Sequence, residues 1–249
     1  AVLRAQEVAL LAALGLRTVA VHHRPAVSIL STGLELVAPD RENQIHDANG
    51  PLLAALVETA GGEVVRLAQS NGELTDLREC LDDWSNTTDL VITSGGISNS
   101  LADTMTGLLA DQPNAELWDV RLRPGKHFGF AWFDDFALLA LPGNPIAAMV
   151  GFELFARQVI ERIGGRARSP LGVFARVTEP LHGKIGRTDA IRGRAWLDDT
   201  GQLCAAPTEN RGSGVLSSLA DANCLLLLPE DSGTVAPGDL VRIHWLGYQ

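Results

Sequence analysis

Two patterns of apolar and polar residues alternate through the first two thirds of the chain. Short apolar runs bounded by turn residues are typical of strands buried on both faces, and between them apolar residues recur at helical spacing. The predicted strands lie at 18–21, 26–30, 63–68, 90–92, 116–122, 128–132 and 136–141, and the predicted helices at 6–14, 52–60, 74–84, 104–110 and 146–163. This alternation predicts an α/β fold with three layers, in which helices cover both faces of a mostly parallel sheet.

The pattern changes after a turn-rich stretch at residues 164–170. Beyond it, strand-like patterns occur at 172–177, 190–197, 202–206, 224–228 and 240–245, with one helical stretch at 214–219. We therefore expect three parts: a leading segment at 1–24, an α/β domain at 25–166 and a small C-terminal β-barrel domain at 167–249.

The overall composition narrows the classes of ligand and partner. A formal net charge of −10 argues against nucleic acid, so an anionic ligand would need a local group of cations and backbone N–H groups. No apolar run reaches the ~18 residues of a membrane span, and no membrane partner is expected. Cys80, Cys204 and Cys224 are odd in number and far apart, which favours a reducing compartment over a disulfide framework or a zinc site.

One loop carries the strongest chemical signal. The strand at 90–92 runs into Thr93-Ser94-Gly95-Gly96, followed by Ser98 and, before the next helix, Asp103. Adjacent glycines allow a sharp turn and leave no side chain between their N–H groups and a ligand. A strand, a Gly/Ser loop and a helix N-terminus together predict an anion site, with Asp103 as a helix cap or a metal-facing carboxylate. An ordinary turn between strand and helix is an equally weighted alternative.

Two further loops share this design. Ser31-Thr32-Gly33 ends the strand at 26–30, and Glu35 follows, although a surface glutamate is the more common reading of such a residue. Pro142-Gly143-Asn144 ends the strand at 136–141, where Asn144 is placed to cap the following helix. The carboxyl ends of parallel strands share one edge of a sheet, so we expect these loops to meet there.

A basic turn lies between two predicted strands. Arg121, Arg123, Lys126 and His127 surround Pro124-Gly125, and such a group in an acidic chain predicts a phosphate or oxyanion site. A solvated basic turn is the alternative. In the predicted barrel, the candidate contacts to the larger domain are Arg192, Arg211 and Ser213, each of which alone is more often structural.

A series of motifs runs in one order over nearly the whole chain. They are STGLEL (31–36), NQIHDANG (43–50), DLVITSGGIS (89–98) with Asp103, RPGKHFGF (123–130), LPGNPIAA (141–148) and NRGSG (210–214). Together they resemble the MoeA/gephyrin family, the molybdopterin molybdenumtransferases. The resemblance implies a molybdopterin-binding α/β domain followed by a β-barrel, with residues 1–24 as the remnant of an N-terminal part.

The resemblance also implies an activity and a set of site residues. Such enzymes insert molybdate into adenylylated molybdopterin and release AMP, with Mg²⁺ as cofactor, as cytoplasmic homodimers supplied by a molybdopterin adenylyltransferase. The implied catalytic residues are Glu35, Asp103, Arg123 and Lys126, of which Glu35 and Asp103 would bind the metal. The implied substrate-binding residues are Ser31, Thr32, Gly33, Ser94, Gly95, Gly96, Ser98, Pro142, Gly143, Asn144, Arg192 and Ser213.

Five positions depart from the family pattern. Ser100 stands where a glycine is expected, and Gly72-Glu73 where an Asp pair is common. Arg123 replaces a lysine, which keeps the charge but changes its geometry. Asp119 replaces another lysine and reverses a charge near an anionic substrate.

Two other functions fit the same residues. A non-catalytic paralogue would bind molybdopterin or molybdate, or act as a scaffold, without releasing AMP. A related hydrolase would cleave nucleotide-like pyrophosphates without molybdate. The chain is either a fragment of a longer enzyme or a shortened homologue.

Overall fold

A computed structural model describes residues 3–33, 36, 46–98, 103–166, 172–209 and 216–247. The helices are α1 (Ala5–Ala13), α2 (Asn49–Thr59), α3 (Leu74–Trp84), α4 (Thr104–Ala110), α5 (Pro145–Gly151), α6 (Arg157–Ile163) and α7 (Ser217–Ala220). The strands of the first part are β1 (Ala26–Thr32), β2 (Glu63–Ser70), β3 (Leu90–Ser94), β4 (Ala115–Asp119), β5 (Leu122–Arg123), β6 (His127–Trp132) and β7 (Ala137–Leu141). Those of the second part are β8 (Val173–Val177), β9 (Leu181–His182), β10 (Thr188–Leu197), β11 (Leu203–Pro207), β12 (Cys224–Leu228), β13 (Thr234–Val235) and β14 (Leu240–Trp245).

Within these ranges, six strands form one sheet in the order β2-β1-β3-β7-β6-β4. The pairings from β2 through β7 are parallel, whereas β6 runs antiparallel to both of its neighbours. Ser31 lies opposite Ser94, and Ser94 opposite Leu141, so the last residues of β1, β3 and β7 are aligned. The predicted mostly parallel α/β sheet is confirmed, with an antiparallel edge formed by β6 and β4.

Helices cover both faces of this sheet. On one face Leu53 and Val57 of α2 and Val150 of α5 pack with Val27 and Ile29 of β1 in a fully buried cluster. On the other face, α3 and α4 pack against the alternate residues of the same strands. Because both faces are covered, β3 is buried along its whole length, as its continuous apolar run predicts.

The second part is a closed barrel of five strands among the described residues. Its sheet order β11-β8-β14-β12-β10 is closed by a pairing of β11 with β10. The inward residues form a separate core that includes Ala205, Leu226 and Ile243. The predicted C-terminal barrel is thus confirmed. No helix in the described ranges is long and apolar enough to cross a membrane.

Strand β5 joins the two parts. The sequence predicts one strand at 116–122, but the chain leaves the first sheet after Asp119, and Leu122 and Arg123 pair in parallel with Thr188 and Asp189 of β10. Leu122 belongs to the core cluster of the α/β sheet, which also contains Ala190 and Leu225 of the barrel. The two parts therefore share apolar contacts as well as backbone hydrogen bonds.

Two other local predictions need correction. Residues 18–21 form no strand, because they lie apart from both sheets and Val19 and Val21 are exposed. The long helix predicted at 146–163 is continuous in space but contains a π-helical turn at Phe152–Ala156. This turn widens the helix where Glu153 and Phe152 are both buried.

A buried charged cluster links this helix to the barrel. Arg157 donates two hydrogen bonds to the Glu153 carboxylate, at 2.7 and 2.8 Å, and a third to Thr59 at 3.1 Å. Nε2 of His244, on β14, lies 2.9 Å from Glu153 Oε2. Burial by itself raises the pKa of Glu153, but the hydrogen bonds with His244 and Arg157 outweigh it and leave the pKa below its ordinary value.

We expect Glu153→Gln to lower the free energy of unfolding by about 3–5 kcal/mol, because the buried Arg157 would lose the carboxylate that accepts two of its hydrogen bonds. A carboxyl group whose pKa is lowered by folding stabilises the folded state at pH values above its ordinary pKa of 4.5. This stabilisation is lost as the pH falls through the lower pKa of the folded state. Urea unfolding between neutral and acid pH would therefore show a smaller acid-dependent loss in the variant.

The matched control is Glu58→Gln, since Glu58 lies exposed on α2 and should give almost no change at neutral pH. Equal effects of the two substitutions on unfolding would contradict the assignment of the stabilisation to the Glu153 cluster.

Candidate functional site

The loops that follow β1, β3 and β7 touch at the carboxyl edge of the sheet. Gly95 has a φ of +101°, and a Cβ built on it would lie 2.2 Å from the backbone oxygen of Thr32. A Cβ built on Gly143 would lie 3.2 Å from the Cα of Gly95. The Gly95 amide also donates a hydrogen bond of 3.1 Å to the Leu141 carbonyl. Glycine at both positions allows the three loops to come this close.

Side-chain hydrogen bonds join the same loops. The Ser94 hydroxyl donates to the Pro142 carbonyl at 3.1 Å. Nδ2 of Asn49, in the first turn of α2, donates both to Ser94 Oγ and to the Gly143 carbonyl, each at 2.8 Å. Thr32 Oγ1 lies 3.4 Å from the Ser94 carbonyl. The predicted residues of the three loops are therefore brought together, and Asn49 joins them.

Asn49 is a site residue that the sequence pattern does not predict. Its motif, NQIHDANG, contributes to the family resemblance but assigns this side chain no role. Asparagine at the start of a helix usually indicates a cap, and Asp47 already supplies that function here. An asparagine two residues after an aspartate that can accept the helix amides is the available signal for a second role.

The helix N-termini at this edge are occupied by acceptors from the protein itself. Asp47 Oδ1 accepts the amides of Asn49 and Gly50 at 2.9 and 3.0 Å. The Gly96 carbonyl accepts the amides of Met105 and Thr106 in the first turn of α4, and Asn144 Oδ1 accepts those of Ile146 and Ala147 at the start of α5. Asn144 is thus the predicted cap, and these particular helix amides are already bonded within the protein.

Loop amides remain available instead. Neither the Gly96 nor the Gly143 N–H has a hydrogen-bond acceptor among the described residues. Gly96 has a φ of +64°, so its peptide adopts a left-handed turn directly after Gly95. With no side chain at Gly96, a ligand can approach its N–H directly. The Ser31 and Thr93 hydroxyls are buried nearby with no partner in the described part of the chain.

Asp103 occupies the N-cap position of α4 but does not act as the cap. Its backbone is extended, and its side chain accepts no hydrogen bond from the helix. The half-buried carboxylate forms no hydrogen bond or ion pair with another described residue. Of the two uses that the sequence allowed, a cap is excluded and a carboxylate available to a ligand remains.

The basic turn packs beside the third loop. A Cβ built on Gly125 would lie 3.5 Å from Ala147 in the first turn of α5. Lys126 Nζ forms a 2.9 Å ion pair with Asp119, whereas the exposed Arg123 guanidinium has no partner among the described residues. Asp119, where the family resemblance leads us to expect a lysine, therefore neutralises Lys126, whereas Arg123 has no such partner in the described ranges.

Arg192 lies on the barrel strand that pairs with the basic turn. It lies on β10 three residues beyond Asp189, the residue that pairs with Arg123. The Arg192 side chain is buried, and burial lowers its pKa below the ordinary value. Its carbonyl accepts the Thr208 amide at 3.0 Å, shortly before the NRGSG motif.

Several predicted positions lie outside the described residues. These are Glu35, Ser213, Arg211 and Ser100. Within the ranges that are described, no group of three His, Cys, Asp or Glu side chains is arranged to bind a metal. The structure thus presents Asp103 as a single carboxylate of the predicted metal pair. Ser98 lies at the same edge. Its backbone N–H donates to Thr106 Oγ1, and the Thr106 hydroxyl donates to the Ser98 carbonyl.

Two family models match the chain in succession. Residues 28–162 match a probable molybdopterin binding domain, and residues 175–246 match the MoeA C-terminal region, domain IV. The first match spans the α/β sheet and its helices, and the second spans nearly the whole barrel.

Whole-chain comparisons agree with these matches. Molybdopterin molybdenumtransferase 1 of Mycobacterium tuberculosis is 32% identical over 98% of this chain and 60% of its own length. The molybdopterin molybdenumtransferase of Haemophilus influenzae is 31% identical, over 96% of this chain and 61% of its own. A crystal structure of the molybdopterin biosynthesis MoeA protein of Pyrococcus horikoshii superposes with a TM-score of 0.81 at 25% identity, covering 99% of this chain and 61% of that one. The chain thus spans about three fifths of the length of these relatives.

Two glycines with positive φ test the close contact of the loops. Gly95→Ala would place a Cβ against the Thr32 backbone, whereas Gly72, with a φ of +84°, has open space around it. Gly72→Ala should cost about 1–2 kcal/mol of unfolding free energy, from backbone conformation alone. Gly95→Ala should cost at least about 2 kcal/mol more, since backbone must also move. Equal losses in urea unfolding would argue against the close approach of Gly95 and Thr32.

Proposed function

Because the chain belongs to the MoeA family, we propose that it carries the substrate-binding and catalytic part of a molybdopterin molybdenumtransferase. The substrates are adenylylated molybdopterin and molybdate. The reaction cleaves the pyrophosphate bond, releases AMP and leaves molybdenum on the dithiolene of the pterin.

One observation carries this proposal. Loops from three parallel strands meet at one sheet edge with the free Gly96 and Gly143 amides, and the turn that holds Arg123 packs beside them. In a chain of net charge −10, this is a local site for a polyanion. Cleavage of a pyrophosphate depends mainly on positioning and charge neutralisation, which such a frame supplies.

Asp103 fits a magnesium site at this edge. Mg²⁺ is commonly bound by one or two carboxylates together with substrate phosphates and water, so a single available carboxylate beside a phosphate site is a suitable donor. Asp103 would hold the ion, with Glu35 as the second carboxylate by family resemblance. A bound Mg²⁺ supplies positive charge to the leaving phosphate oxygens, while the loop amides and Arg123 orient the same group.

The assembly and cellular context follow from the family. We propose a cytoplasmic homodimer in which a further N-terminal region completes the site, and a molybdopterin adenylyltransferase as the source of the substrate. The relatives are longer than this chain, which supports testing the chain both alone and together with the N-terminal region of one of them.

The first test is the release of AMP from adenylylated molybdopterin in the presence of Mg²⁺ and molybdate. The chain is assayed alone and with the N-terminal region of the Haemophilus influenzae relative supplied separately. We expect molybdate-dependent release in at least the second case, and Asp103→Ala should reduce it by about 100-fold or more. The variant should unfold at nearly the same urea concentration as the unmodified chain, because Asp103 makes no side-chain hydrogen bond within the described fold.

Binding without release in both assays would favour the non-catalytic paralogue. Release that does not need molybdate would favour the pyrophosphate hydrolase. Undiminished turnover in Asp103→Ala would remove Asp103 from the proposed metal site.

The Asp119–Lys126 pair generates a second prediction. Asp119→Asn removes the carboxylate that neutralises Lys126 and adds no new group, so the Kd for AMP should fall about two- to fivefold at low salt and less at high salt. Isothermal titration measures the change. Asp111→Asn is the matched control, since it removes the same charge from a surface pair with Arg78 beyond the far end of α4. Equal gains in both variants would indicate a general charge effect and place Lys126 outside the site.

A further inference from the structure

We propose that Asn49 is a positioning residue, which fixes the β3 and β7 loops relative to one another so that their free amides face one anionic ligand. This inference deepens the proposed function and rests on it. The family motifs supplied no role for this side chain, and the role is inferred from its contacts alone.

The geometry of the amide group carries the argument. Both hydrogens of Asn49 Nδ2 are used, one on Ser94 Oγ and one on the Gly143 carbonyl, at 2.8 Å each. The two acceptors belong to two different loops that are 49 positions apart in sequence, from Ser94 to Gly143. Only a planar group with two donors on one nitrogen spans both in this way. Oδ1 of Asn49 accepts nothing from the described residues, so the donor half of the amide does the positioning.

The surrounding contacts show why the connection matters. Ser94 adds a second link between the β3 and β7 loops, because its hydroxyl donates a hydrogen bond to the Pro142 carbonyl. The Gly95 amide bridges the same two loops through Leu141, in a bond that does not involve Asn49. Gly96 and Gly143, which hold the free amides, follow directly after the residues connected in this way. A shift between the loops would move these donors apart, and a misplacement of about 1 Å costs affinity and rate.

Asn49 itself is held rigidly. The backbone N–H of Asn49 donates a hydrogen bond of 2.9 Å to Asp47 Oδ1, and Asp47 Oδ2 accepts a hydrogen bond of 3.3 Å from the Gln69 side chain on β2. Gly50 leaves room for this arrangement, because a Cβ built there would lie 2.6 Å from Asp47 Oδ2 and 3.3 Å from Ser31 Oγ. The first turn of α2 is therefore a fixed support for the side chain.

The test uses Asn49→Leu, which keeps the branching of the side chain and adds no charge. The reporter is hydrogen exchange of the Gly95 amide, whose bond to Leu141 crosses the two loops. The Gly33 amide, bonded to Ser70 at 3.2 Å across the neighbouring loops, is the internal reference. We expect Gly95 to exchange about tenfold faster or more, Gly33 to change less than twofold, and the Kd for AMP to rise about tenfold.

Asn71→Leu is the matched control variant. Asn71 lies at the same sheet edge, but its side chain accepts only the Glu73 amide, so the Gly95 exchange and the Kd should stay within twofold. Ser94→Ala removes one of the two acceptors, and its effect on the Kd should not add to that of Asn49→Leu in the double variant. It also tests the proposal if Asn49→Leu fails to fold.

The possible outcomes separate the inference from the function on which it rests. If Gly33 and Gly95 exchange faster together and the unfolding free energy falls in proportion, Asn49 is merely structural and the proposal is overturned. Unchanged Gly95 exchange, or additive effects on the Kd, would overturn it as well. Failure of the unmodified chain to bind AMP would instead contradict the proposed function, and the exchange of Gly95 would still decide whether Asn49 connects the loops.

Discussion

The site depends on one steric constraint, the absence of a side chain at Gly95 and Gly143. A Cβ at Gly95 would occupy the position of the Thr32 carbonyl, and one at Gly143 would press on Gly95. With both absent, three strand ends come into direct contact, and Asn49 and Ser94 can span the loops with single hydrogen bonds. A looser arrangement would place water between the loops and spread the donors over a wider area. Close packing of the three loops is thus the primary requirement, and the hydrogen bonds of Asn49 and Ser94 then fix the positions of the loops relative to one another.

The distribution of donors around this contact is consistent with the proposed anion site in an acidic chain. The helix N-termini at the edge are capped internally by Asp47, the Gly96 carbonyl and Asn144. Their dipoles still favour negative charge, but their N–H groups are not available to a ligand. Free donors are found instead on loop glycines, where a ligand can approach the backbone directly. Positive charge comes from the adjacent turn, in which Lys126 is neutralised and Arg123 is not. The site therefore relies on backbone geometry more than on net charge.

The sequence predicts most of this fold because the elements have strong local signals. Leu74–Trp84, Thr104–Ala110, Cys224–Leu228 and Leu240–Trp245 agree with the predicted bounds, since each is an apolar run or a helical or alternating pattern bounded by polar or turn residues. Local signals fail where a distant partner decides. The strand predicted at 116–122 divides because Leu122 pairs with a strand more than sixty residues later, and residues 18–21 have β-branched residues but no strand beside them. Asn49 was missed for the same reason, because its acceptors become neighbours only in the folded chain.

The junction with the barrel connects these observations. The basic turn is fixed on one side by the contact of Gly125 with α5 and on the other by the pairing of β5 with β10, so the position of Arg123 depends on the barrel. The helix that α5 begins continues into the buried Glu153 cluster, which reaches His244 on β14. Buried ion pairs add little net stability compared with apolar packing, but they tolerate only a narrow range of geometries. An apolar junction alone would allow the barrel to slide on the α/β sheet. A charged cluster with directional bonds opposes such sliding, and so it helps to fix the barrel strand β10 that pairs with Arg123.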